Sequence, residues 1–260
     1  MDWEDEDTER GWTRREWVKL GLTAGAVGTV ASLGAATARQ IVPPPIEFSG
    51  EIREELIYTK FPTPQWWNAN GGKVVKVADF DEEWRGATAV WRGLFSDGNY
   101  VPGTGFPVIV IRVKRDLSAF TEPSGVELPE GFGLYHDEEP SAANENLGRR
   151  IVVVYAKCVH LCCNPGWHVV TSPPPEYSYI APAPTYERFG KDPIYCVCHG
   201  SQYEPMSLVK NVNEKSGAEY VGARHVHGPA HRALPIVPVK SEGGTLVGGM
   251  ADPRWYVYCA

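Results

Sequence analysis

At 260 residues the chain can bury a sizeable core, in one large domain or two modest ones, without disulfide staples, so fold stability alone does not account for its six cysteines. A formal net charge of -7 leaves no basic surplus to neutralise phosphates and argues against nucleic acid as a partner. The 22 prolines and 9 tryptophans favour turns, loops and β-structure over long helices.

Residues 1–12, MDWEDEDTERGW, are acidic and lack apolar periodicity, so they read as a tail that cannot bury enough surface to fold alone. Residues 13–39 change character. Arg14, Arg15 and Lys19 precede an uncharged run from Leu20 to Ala38. As a helix that run would extend roughly 28 Å, close to the hydrocarbon thickness of a bilayer. It is rich in Gly, Ala, Thr and Ser, and Gly21 and Gly25 form a GxxxG pair suited to packing against other helices. Arg14-Arg15 before a weakly apolar stretch also resembles a twin-arginine export signal, and Ala36-Thr37-Ala38 has the small-x-small form of a cleavage site. The reading is an uncleaved signal-anchor, with cleavage as the alternative. Only Arg39 directly follows the span, so the positive charge keeps the N-terminus cytoplasmic and puts the rest on the outer side of a single-pass cell-membrane protein. Residues 40–46 contain Pro43 to Pro45, an extended spacer between membrane and head.

From Glu47 to Ala260 the pattern is short β-branched and aromatic runs cut by Gly and Pro. KVVKVADF from Lys73, FPVIVIRVKR from Phe106, RIVVVYAK from Arg150, ALPIVPVK from Ala233 and RWYVYC from Arg254 read as strands of an antiparallel β head. The only helix candidate runs from Phe80 to Leu94. DEEPSAANEN after His136 reads as an acidic surface loop, and the Pro-rich stretch from Ser172 to Pro193 as irregular.

Chemistry concentrates in CVHLCCNPGWH from Cys158 and YCVCHGSQY from Tyr195. Each box offers one cysteine and one histidine as ligands: Cys158 with His160, and Cys196 with His199. A structural zinc would take all four as a closed tetrahedron. A two-iron, two-sulfide cluster would take both cysteines on one iron and both histidines on the other. The ligand types alone do not separate these. Cys163 and Cys198 are surplus, and behind an N-terminal anchor the head faces an oxidising compartment where they would form a disulfide tying the two loops together.

At this point the sequence resembles the Rieske iron–sulfur proteins, whose boxes run C-x-H-L-G-C and C-x-C-H-G-S. Here they stand as Cys158-Val159-His160-Leu161-Cys162-Cys163 and Cys196-Val197-Cys198-His199-Gly200-Ser201. The resemblance implies a mainly β fold: an antiparallel β-sandwich head with an inserted cluster-binding subdomain at about 157–231, and a [2Fe-2S] cofactor. It gives Ser201 and Tyr203 the role of donors that tune the potential, and Gly228-Pro229-Ala230 that of the loop covering the cluster. His231 stands where the family commonly has a second proline. Cys162 replaces a glycine of the family pattern, in a tight turn where glycine is conformationally easiest. That allows Cys162 an alternative disulfide, with Cys259 as its candidate partner.

Exchanging two thiolates for two neutral imidazoles makes a cluster less negative and raises its potential, and donors to its sulfurs raise it further. A metal-bound imidazole has one ring nitrogen free, so electron uptake couples to proton uptake at His160 or His199. The resemblance therefore implies the electron-transfer subunit of a respiratory quinol-oxidising, cytochrome bc-type complex. Its partners would be a b-type cytochrome, quinol contacted by His199 and His160, and a haem- or copper-containing acceptor. The alternatives are the exported Rieske subunit of a molybdenum-dependent oxidase and a membrane-anchored zinc-bound interaction module. His136, His168, His225, His227 and His231 read as surface or packing residues.

Overall fold

The computed structural model describes residues 50–115, 120–140, 148–167 and 194–249. The acidic tail, the span at 13–39 with Arg14 and Arg15, the spacer, His168, Cys259 and the RWYVYC run lie outside these residues. Among the described residues no helix is long and apolar enough to cross a membrane.

The fold is mainly β, with only two 3-10 turns, Asn68–Asn70 and Val77–Asp79, among the described residues. The strands in chain order are β1 (Glu51–Arg53), β2 (Ile57–Tyr58), β3 (Gly86–Trp91), β4 (Gly93–Ser96), β5 (Asn99–Tyr100), β6 (Phe106–Val113) and β7 (His136–Glu138). They continue with β8 (Arg149–Tyr155), β9 (Ile194–Tyr195), β10 (Gln202–Val212), β11 (Glu219–His227), β12 (Leu234–Pro235), β13 (Val239–Glu242) and β14 (Thr245–Gly248). A five-stranded sheet runs β2-β3-β6-β8-β7 and a four-stranded one β12-β11-β10-β9, with smaller sheets β1-β4-β5 and β13-β14. Every strand pair is antiparallel.

Strands β6 and β8 form the centre of the large sheet. Their Val- and Ile-rich runs do not alternate because both faces are covered: every residue of β8, and of β6 from Val108 onward, is buried. Continuous apolar sequence is what a strand covered on both faces requires. The same core includes Cys158, Cys196 and Tyr203, so the cysteine loops grow directly out of it. An isolated bridge of Val154 to Ile236 and the bond from Val237 N–H to the Val153 carbonyl, 2.8 Å, join β8 to the chain around β12.

The Phe80 to Leu94 stretch is not a helix. It forms β3 and the start of β4, and β3 pairs with β6 along its whole length. Tertiary pairing overrides a weak helical pattern here: Gly86 and Gly93 are poor helix residues, and Val90 and Trp91 gain by packing on a pleated, buried surface. The acidic stretch after His136 also begins inside the sheet. Asp137 and Glu138 lie on β7 and face Arg150 and Arg149 across the ladder. Of the other expected strands, ALPIVPVK divides between β12 and β13, as its two internal prolines require. KVVKVADF makes only isolated bridges before the second 3-10 turn.

Candidate metal centre

Two loops carry the predicted ligands, and they share one hydrogen-bond pattern. In the first, Cys158 N–H donates to the Cys163 carbonyl at 2.8 Å and Cys162 N–H to the Cys158 carbonyl at 2.9 Å. In the second, Cys196 N–H donates to the Ser201 carbonyl at 2.8 Å and Gly200 N–H to the Cys196 carbonyl at 2.9 Å. Cys162 and Gly200 occupy matching positions in the two turns. Both take left-handed backbone, with φ of 62° and 79°. The turn demands that conformation, and glycine meets it without strain where a side chain costs about 1–2 kcal/mol. Cys162 accepts that cost and is itself disulfide-bonded.

The loops are held side by side in two ways. Gly166 and Tyr195 exchange backbone hydrogen bonds of 2.8 and 3.0 Å. Cys163 and Cys198 form a disulfide. The surplus cysteines thus pair with each other across the loops.

This clamp brings the four predicted ligands together in two pairs. Cys158 and Cys196 are buried and their thiols are hydrogen-bonded to each other. The His160 and His199 rings stand edge to face with centroids 4.7 Å apart. His160 Nδ1 is buried without a hydrogen-bond partner among the described residues, while His199 is exposed. A buried, orphaned imidazole nitrogen beside two apposed thiols suits a metal bond.

The thiol pair is electrostatically split. The bond from the Cys196 thiol pulls Cys158 down to about 5 against the opposing effect of burial, helped by donors from Tyr203, the His160 backbone and Ser201. Cys196 is pushed above the ordinary thiol range, first by its bond to Cys158 and then by burial. The donors gathered around Cys158 favour its thiolate form.

Ser201 and Tyr203 both act on Cys158. Tyr203, fully buried on β10, has its hydroxyl 3.1 Å from Cys158 Sγ. The Ser201 hydroxyl also donates to that sulfur, while its oxygen accepts the Ala230 N–H at 3.1 Å. That second bond fastens the Gly228-Pro229-Ala230 loop to the second ligand loop. Gly228 has φ of 90°. His231 is exposed and 3.3 Å from Glu214.

The sulfurs of Cys163, Cys196 and Cys198 lie within 4.8 Å of one another, but that triad is not a thiolate donor set. Two of its members are disulfide sulfurs with no thiolate to offer. Cys158, His160, Cys196 and His199 carry the usable lone pairs.

Sequence reasoning did not single out the surface around the histidines. Leu161 and Val197 are each 63 % exposed, so the tip carrying His199 is apolar and open to solvent. The legible signal is position: Leu161 stands between His160 and Cys162, and Val197 between Cys196 and Cys198. His225, one of the histidines expected at the surface or in packing, lies against Tyr203 with ring centroids 5.7 Å apart. That contact depends on strand register and has no local signature. No known protein family matches the chain, and no curated protein resembles it significantly.

Proposed function

We propose that this chain is a Rieske-type electron-transfer protein, the redox subunit of a membrane-bound quinol-oxidising complex of the cytochrome bc type. One observation carries the reading: two buried thiols in mutual contact and two imidazoles in mutual contact, on paired loops clamped by the Cys163–Cys198 disulfide. Zinc would accept the same donors, but separation into a thiol pair and an imidazole pair suits two metal ions with different ligands. The β-sandwich head, the cluster-binding subdomain at about 157–231 and the N-terminal anchor belong to this reading.

Cys158 and Cys196 would hold one iron and His160 and His199 the other, with Nδ1 as the bonding atom of His160. A bound [2Fe-2S] cluster with this mixed set would supply one-electron chemistry at a raised potential. The remaining steps fall to the protein. Tyr203 and Ser201 donate to Cys158 and favour the more electron-rich state. The two thiols are themselves buried. His199, exposed beside Leu161 and Val197, presents its outer ring nitrogen to accept the hydrogen bond of a quinol hydroxyl and hold its proton. The apolar pair would seat this tip against a b-type cytochrome in the membrane. A haem- or copper-containing protein would take the electron onward.

The test is EPR of the full-length protein, purified in detergent and reduced with ascorbate. A rhombic two-iron signal whose potential falls as pH rises above neutral supports the reading. A signal that needs dithionite points to a low-potential carrier, and bound zinc without iron overturns electron transfer. Co-purification with a molybdopterin subunit rather than a b-type cytochrome would move the protein to a molybdenum-dependent oxidase.

A further inference from the structure

The ladder between β10 and β11 is interrupted beside the candidate centre. Gln202 is opposite His227, but the next pair is Tyr203 with His225, so Val226 has no counterpart. In an unbroken ladder the residue facing Tyr203 would be Val226. The extra residue is a bulge, and bulges re-aim side chains next to functional sites. Here it sends Val226 into the core, where it is buried, and sets an imidazole against Tyr203.

Residues directly opposite in an antiparallel pair share a face. The His225 ring accordingly meets the Tyr203 ring at 5.7 Å and 64°, in the edge-to-face arrangement that aromatic quadrupoles favour. The imidazole is anchored from behind as well. It donates toward the backbone carbonyls of His227 and Gly228, at the entrance to the loop that covers Ser201. Its Nε2 is buried and has no partner among the described residues. Burial, more than the neighbouring His227 and His231, keeps this imidazole below its ordinary value, while the backbone bonds act the other way. The ring is a wedge between the covering loop and Tyr203.

We infer that His225 is a positioning residue for the redox potential of the centre: its ring holds Tyr203 so that the phenol hydroxyl stays on Cys158 Sγ. The inference rests on the electron-transfer reading above. His225 does not touch a ligand in the described contacts; it acts through Tyr203. Loss of the ring leaves space beside a buried phenol, the phenol shifts, and the bond to the sulfur lengthens. The more electron-rich state then loses a donor and the potential falls.

The experiment is an EPR-monitored redox titration of the full-length protein in detergent, in the wild type, Tyr203→Phe, His225→Gln, His225→Phe and the double variant His225→Gln/Tyr203→Phe. Tyr203→Phe lowers the midpoint. His225→Gln, which retains a polar group for the loop but no ring, lowers it in the same direction and by less. His225→Phe, which retains the ring, leaves it at the wild-type value. In the Tyr203→Phe background His225→Gln adds nothing, because the donor it positions is already gone. A His225→Gln midpoint equal to wild type while Tyr203→Phe shifts it overturns the inference and leaves the functional reading standing. A shift of undiminished size in the Tyr203→Phe background also overturns it, since His225 would then act directly on the centre. Absence of a two-iron signal from the wild type overturns the functional reading and this inference together. If His225→Gln fails to fold, His225→Phe decides: a lowered midpoint there rejects the ring as the positioning element.

Discussion

Gly228 lies so close to Ser201 that a Cβ added to it would stand 2.6 Å from the Ser201 Cα and 2.7 Å from the Ser201 backbone nitrogen. The covering loop and the second ligand loop are thus packed backbone on backbone, and Ala230 N–H to Ser201 Oγ fastens the contact. Gly228→Ala meets both this crowding and a φ of 90°, and backbone cannot give way as a flexible side chain does. The expected cost is about 2–4 kcal/mol. It would be read as a lower Tm by differential scanning calorimetry and as faster loss of bound iron in dilute chelator. A variant with wild-type Tm and iron retention would show that the loop does not need this approach.

Tyr203→Phe and Ser201→Ala each remove one donor to Cys158 Sγ without removing a ligand. A charge-assisted bond of about 1.4 kcal/mol that strengthens on reduction corresponds to about 60 mV for one electron. Each substitution is expected to lower the midpoint by up to about that amount, with the visible spectrum retained. Redox titration checks it; a raised midpoint in either variant would contradict the donor role.

Replacing the disulfide by Cys163→Ser with Cys198→Ser removes a cross-link between residues 35 apart. Loop-closure entropy alone predicts a loss of about 4 kcal/mol. The functional consequence is larger than the energy suggests, because the clamp also sets the apposition of Cys158 with Cys196 and of His160 with His199. The double variant should bind iron less tightly and lose it on mild heating. Iron content and Tm, measured with and without dithiothreitol for the native protein, give the comparison.

Asp137 supports the sheet edge farther from the centre. Its carboxylate bonds Arg115 at 2.9 Å and Arg150 at 2.9 Å, and the Arg150 side chain is only 3 % exposed. Burial by itself would push the Asp137 carboxyl up; the two guanidinium groups outweigh it and hold it below the ordinary carboxylate value. A carboxyl with a depressed folded value contributes stability that is fully present above its unfolded value near pH 4 and is lost as pH falls through the lower folded value. Asp137→Asn should therefore cost about 2 kcal/mol at neutral pH, mainly by leaving Arg150 buried without its carboxylate, and should flatten the acid limb of the stability curve. Denaturant melts from pH 7 to pH 2 test both; an unchanged acid limb would show that other carboxylates govern it.

Much of the centre is readable from the chain because it is local. Cys158 with His160, and Cys196 with Cys198 and His199, sit within turns whose hydrogen bonds close over five residues, so spacing alone presents the donors together. That position 162 takes left-handed backbone follows from the same local logic. The mainly β class was legible in the Val- and Ile-rich runs that became β6 and β8. The stretch from Phe80 to Leu94 misled because its apolar residues do not alternate, and a strand buried on both faces looks locally like a buried helix.

By itself, then, the sequence determined the order of cysteines and histidines in the two loops and the cysteines left to form the clamp, since these depend on contacts within single loops and on simple redox chemistry. Tertiary structure alone decided that Leu161 and Val197 face outward at the tip, that Asp137 and Arg150 pair across a ladder, and that His225 rather than Val226 meets Tyr203. Those outcomes depend on strand register. Register is set by the sum of many distant contacts, and a single extra residue in one strand exchanges the side chain presented to its neighbour.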